Sequence, residues 1–229
     1  MVLPLIIAAV AMVAAIVLYA TMPNAENDAL RSFGQNRVGS PAAACPVGGI
    51  TGRPLCNSAI QVRVTNVPNQ AQLDRINNFL FQGQYQAAID AACAAYGILQ
   101  SQFPGGRIVY DGTLDHPGHA YPDRVALNPA LLTNNTAQAL VGSIVHEGTH
   151  FRQYDRMPAN NRAPETFSQS QTNYAEAMAY DSEVQAARQT GIEPTSSEYH
   201  NAVDRRNGNY SGLNSMQQAA FRDGRWPPP

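Results

Sequence analysis

The chain has 229 residues, of which 44% are hydrophobic and 14% charged, with a formal net charge of -2. That length suits one domain of ordinary size, or one domain plus a tail, and the near-neutral balance argues against a nucleic-acid binder with its basic face, so no nucleic-acid partner is expected. All 15 basic residues are Arg, which excludes a Schiff-base lysine, a phosphate-loop lysine and a Ser-Lys dyad.

Residues 1–22 contain no charged side chain. The run from Val2 to Ala20 has the length of a bilayer-spanning helix, about 20 residues. No Arg precedes it, and Pro23-Asn24-Ala25 is a poor cleavage site. A retained membrane anchor is therefore favoured over a cleaved signal. The protein is expected to be membrane-anchored or secreted across the inner membrane. Both orientations stay open: Arg31 and Arg37 favour a cytoplasmic side for the residues that follow, whereas a bond between Cys45 and Cys56 would need an oxidising compartment. Residues 23–58 are rich in Pro, Gly, Ser, Asn and Ala without sustained periodicity and read as a linker.

A single domain is expected over 59–222, followed by a Pro-rich tail, 223–229. Ile60 to Thr65 alternates apolar and polar residues, as a short strand does. Leu73, Ile76, Phe79 and Leu80 mark a helix over 71–82. Ala88, Ile89, Ala92, Tyr96 and Leu99 mark a second over 85–100. Cys93 within it is expected as a free, buried thiol. After a turn at Pro104-Gly105-Gly106, Arg107 to Tyr110 and Asp123 to Asn128 are two more strands, with His116 and His119 in the loop between them. A helix over 136–154, capped by Asn134 or Asn135, is followed by a polar loop and by helices over 171–188 and 196–206.

The sharp signal is His146-Glu147-Gly148-Thr149-His150 in the first of these three helices. Residues i and i+4 share a helix face, so the two imidazoles can bind one Zn²⁺ at about 2.0–2.1 Å. Glu147 lies one position past the first ligand, beside the metal, where it can accept a proton from metal-activated water. His-Glu-His on an otherwise apolar helix is costly unless paired or metallated. His116 and His119 are expected in solvent or in a substrate cleft, and His200 on the surface.

A catalytic zinc needs a third protein ligand. The His of the metzincin pattern is replaced by Arg156. The alternative is a carboxylate from the next helix. Glu176, in Asn173-Tyr174-Ala175-Glu176-Ala177, lies 26 residues after His150. Glu183 stands second, two turns further on the same face, and Glu165 in the loop third.

His146-Glu-Gly-Thr-His150 followed by Asn-Tyr-Ala-Glu176-Ala resembles the zincins, and among them the Glu-zincins of the thermolysin type, over about residues 106–190. The compact size and the His150-Phe-Arg-Gln153 ending are similar to small metallopeptidase domains of bacteria, some of them in secreted toxins. The resemblance implies an α+β, mainly helical, minimal zincin-like domain, with a small sheet on the active-site helix and a second, ligand-bearing helix. In that family an acid four residues after the Glu ligand supports the first His. Here that position is Tyr180, with Asp181 beside it. A donor to the developing oxyanion would come from Tyr174, Tyr180, Tyr199 or His200.

The expected activity is a zinc-dependent peptidase acting on peptide or protein substrates, with Zn²⁺ on His146, His150 and Glu176 and Glu147 as general base. The strand Arg124 to Leu127 would present an edge for an extended substrate. The alternative is a membrane-tethered interaction domain with a structural zinc site and no catalysis.

Overall fold

A computed structural model describes residues 60–103, 106–158, 166–192 and 195–226. The 1–22 segment, the 23–58 linker with Cys45 and Cys56, Pro104-Gly105, Glu165 and the three final prolines lie outside the described residues. Among the described residues no helix is long and apolar enough to cross a membrane.

The fold is α+β and mainly helical. Helix α1 (Gln70–Phe81) starts at Asn69, whose side chain accepts from Gln72 N while the Gln72 side chain accepts from Asn69 N. Gly97, at φ 67°, ends α2 (Tyr85–Tyr96) in the left-handed conformation that an L side chain resists. These two helices bury Ile76, Leu80, Ala88, Ile89, Ala92 and Tyr96 against the sheet and the first half of the central helix. Burial, with the charge of Asp90, pushes the Cys93 thiol up to about 12, so it carries no thiolate chemistry.

The sheet has three short strands, β1 (Ile108–Tyr110), β2 (Gly118–Ala120) and β3 (Val125–Leu127), in the order β1-β3-β2. β3 pairs parallel with β1, Val109 opposite Ala126, and antiparallel with β2, His119 opposite Ala126. This corrects two expectations. The Arg124–Leu127 segment holds the central strand, with Val125, Ala126 and Leu127 fully buried, and both edges of that strand are taken. The outer strands are β1, whose Tyr110 N donates to the Gln86 side chain at 2.8 Å, and β2, in the stretch the sequence assigns to a loop. Ile60 to Thr65 does keep its alternating burial, with Ile60 and Val62 inside, but joins no strand. The Gln102 side chain takes the place of a partner strand, accepting from Arg63 N at 2.6 Å and donating to Arg63 O at 2.8 Å.

Helix α3 (Ala137–Asp155) runs between the sheet and α4 (Gln169–Gln189). It is apolar on nearly every side because both faces are covered; Leu140, Val141, Ile144, Val145 and Phe151 are all buried. Its cap is Thr136, whose hydroxyl accepts from Ala139 N, and neither Asn134 nor Asn135. α5 (Ser197–Ser211) and α6 (Ser215–Arg222) complete the chain. α6 packs Ala220 and Phe221 beside Tyr174 and Met178 of α4. The tail beyond it is docked at Trp226, whose indole N–H donates to Gln153 O at 3.0 Å.

Candidate metal centre

α3 and α4 approach closely because α4 presents the small Ala175 and Ala179 at this contact, both nearly inaccessible to solvent, while Ala177 packs on the α6 side. At this contact His146, His150 and Glu176 form a group whose donor atoms all lie within 4.8 Å of one another, and the group can hold a metal ion. The two imidazole Nε2 atoms are 3.2 Å apart. The Glu176 carboxylate faces both, with Oε2 3.5 Å from His146 Nε2 and Oε1 3.3 Å from His150 Nε2. Two ring nitrogens aimed at each other across 3.2 Å need a cation or a proton between them. Burial disfavours charge on His146, but the contacts of Glu176 and Glu183 and the charge of Glu147 outweigh it and hold this imidazole well above its ordinary pKa. Burial likewise opposes ionised Glu176, and the two histidines overcome it, holding the carboxyl well below the usual range. In the metal-free state, then, Glu176 is a carboxylate and the positive charge sits on imidazole.

The outer partners set the ring orientations. Gln153, one turn past His150 and fully buried, donates from Nε2 to Ala175 O at 3.1 Å. Its Oε1 therefore faces His150 Nδ1, 2.8 Å away. An amide oxygen only accepts, so Nδ1 carries the proton and the Nε2 lone pair is left for a metal. Sequence reasoning gave Gln153 no role; its spacing from His150 is the one local signal.

His146 Nδ1 is buried without a hydrogen bond, and its neighbour is Glu183 Oε2 at 3.6 Å. Glu183 is thus not in the metal-holding group but stands behind the first histidine. Gly142, one turn before His146, makes the room: a Cβ there would lie 2.8 Å from Glu183 Oε1. Asp181 backs neither histidine. It is buried and paired with Arg206, Nη1 to Oδ1 3.1 Å, and this pair fastens α5 to α4.

The group opens into a cleft of about 360 Å³ between α3, α5 and β2. Glu147 and His116 line it, the latter's Nδ1 2.5 Å from Asp115 Oδ1. Gly118 of β2 comes so close that a Cβ would lie 2.7 Å from Glu147 Cγ. Of the oxyanion-donor candidates, Tyr180 alone lines the cleft; its ring centroid is 4.3 Å from that of His146 and its hydroxyl accepts from Arg205 at 2.9 Å. Tyr174 is buried and donates to Arg225 O, the Tyr199 hydroxyl accepts from Arg188, and His200 is exposed, its Nδ1 3.1 Å from Ser196 O. Compared with protein-family models, with curated proteins and with solved structures, the chain matches none.

Proposed function

We propose that this protein is a zinc-dependent peptidase of zincin-like design. The observation that carries the reading is the donor group itself. The two imidazole Nε2 atoms are 3.2 Å apart, close to the roughly 3.3–3.4 Å that tetrahedral bonds of about 2.0–2.1 Å place between neighbouring ligand atoms, and the Glu176 carboxylate straddles the pair, Oε1 3.3 Å from His150 Nε2 and Oε2 3.5 Å from His146 Nε2. Two imidazoles and one carboxylate suit zinc, and structural zinc sites close with four protein ligands where catalytic ones use three. The described residues supply three, beside a cleft that also holds a carboxylate. This favours catalysis over a structural zinc site in an interaction domain.

Bound there, zinc would polarise the scissile carbonyl and acidify a water. Glu147 would take the proton from that water and pass it to the leaving amine. Tyr180, with Arg205 behind its hydroxyl, would steady the oxygen that gains charge. The free edge of β2 would align an extended peptide beside Glu147 by main-chain hydrogen bonds. In the same proposal residues 1–22 anchor or export the domain, which carbonate extraction of membranes carrying the full chain would test.

Glu147→Gln changes one atom of a group that touches substrate but not metal. It should keep zinc, measured by elemental analysis of the full chain, and lose about 10²–10⁴ in peptide hydrolysis. Intact zinc with wild-type turnover would remove Glu147 from the chemistry and the peptidase reading with it.

A further inference from the structure

The cleft has two chemically different ends. α3 contributes Ala139, Ser143 and Glu147, one residue per turn on one face. α5 contributes Glu198, Ala202 and Arg205, which also share a face at their spacing. Ala139, Ser143 and Ala202 are short, so a channel stays open between the helices. Arg205 stands at the metal end, donating to Tyr180, which packs on His146. Glu198 stands seven residues away on α5, about 10 Å of helix rise. It is tied to the start of α3, where Asn134 Nδ2 donates to its Oε1 at 3.1 Å; Ser197 Oγ donates to Oε2 at 3.0 Å.

Both hydrogen-bond partners of Glu198 are neutral, so they fix the carboxylate without cancelling its charge. At the other end, the two charges of zinc and the one of Arg205 balance Glu147, Glu176 and Glu183. Glu198 is the charge left over. From the sequence, a carboxylate in the first turn of α5 serves only the helix dipole. Its place in the wall of the cleft gives it a second role. A lysine or arginine side chain reaches about 6 Å beyond its Cα. A residue held beside the metal therefore brings its cation to the Glu198 end along the channel of small residues.

We propose that the cleft selects substrates with a lysine or arginine side chain next to the scissile bond, and that Glu198 is the residue that determines this specificity. The inference rests on the zinc-peptidase reading. The test uses the zinc-loaded full chain and two readouts: cleavage of a peptide pool randomised on both sides of the bond, and binding of lysine, norleucine and glutamate hydroxamates, which needs no turnover. Lysine peptides and lysine hydroxamate should be favoured over the norleucine forms by about 10-fold or more, as expected of a close charge pair away from bulk water. Glu198→Gln keeps the size and the acceptor for Asn134 Nδ2, and its new amide donates to Ser197 Oγ in place of accepting from it. It should bring both ratios to near unity and leave the norleucine values unchanged. Glu198→Asp should retain most of the preference, and Glu198→Arg should favour glutamate. Equal binding of the three hydroxamates to the wild type, or a lysine preference that survives in Glu198→Gln, would overturn the specificity and leave the peptidase reading standing. If no hydroxamate binds the zinc-loaded chain, the peptidase reading falls and the specificity with it.

Discussion

Gln153→Leu isolates a side chain that touches His150 of α3 and Ala175 of α4 without belonging to the donor group. Leu has a similar volume, so the fully buried pocket stays filled. What is lost is the acceptor 2.8 Å from His150 Nδ1 and the donor 3.1 Å from Ala175 O. Leaving the Nδ1–H buried and unpaired costs about 1–3 kcal/mol. The imidazole can escape this by moving its proton to Nε2 or by turning, and either takes the Nε2 lone pair off the metal. Zinc affinity should therefore fall about 10–100-fold, the usual effect of losing such a support. Gln153→Glu is the matched control. It keeps an acceptor for Nδ1–H but turns a carboxylate oxygen toward the Ala175 carbonyl. Its zinc affinity should stay within a few-fold of wild type while the metal-free protein loses about 1–3 kcal/mol. Competition against a chromophoric chelator reads the first quantity and urea unfolding of the metal-free chain the second. The reasoning is refuted if Gln153→Leu binds zinc as tightly as wild type, or if Gln153→Glu loses as much affinity as Gln153→Leu.

Two further substitutions probe the same neighbourhood. Gly142→Ala puts a methyl group 2.8 Å from Glu183 Oε1. Because that oxygen ends a flexible side chain, the fold should survive, with Glu183 displaced from His146. A roughly 10-fold loss of zinc affinity, matched by Glu183→Gln, is expected from the chelator assay. Arg206→Leu leaves Asp181, 9% exposed at its side chain, buried without its cation. The expected cost near neutral pH is about 3–5 kcal/mol. Burial already raises the Asp181 pKa despite the Arg206 charge, and removing the arginine raises it further. A carboxyl with a raised folded-state pKa is least destabilising below its unfolded pKa, about 3.9. The deficit should thus grow as pH rises through the folded pKa and be smallest in acid, as urea unfolding between pH 4 and 8 would read; a pH-independent deficit would assign it to lost packing.

The pairing of His146 and His150, with Glu147 between them, was legible because it is local. Four residues of α-helix fix that geometry wherever the helix sits. Glu176 was legible for a related reason: a helix, a reversing loop and an alanine-rich second helix leave few ways for a carboxylate to return to the first. What the tertiary structure decided is what depends on a face meeting another element. Glu183 and Glu176 share a stripe of α4, and only the space at Gly142 makes one a backing group and the other part of the cluster. Three capping residues precede α3, and Asn134 is drawn away to Ser197 and Glu198, leaving Thr136 to cap. Gln153 carries only its three-residue spacing from His150, which a solvated glutamine could share; it is buried because Trp226 and α4 cover it. Strand order is the same kind of fact. Three-residue strands have too few side chains for alternation to separate edge from centre, and although β2 and β3 form a tight hairpin, with Ala120 opposite Val125, β1 reaches β3 only across the intervening β2. The parallel pairing of β1 with β3, which skips over β2, sets β3 at the centre and leaves the edge beside Glu147 to β2.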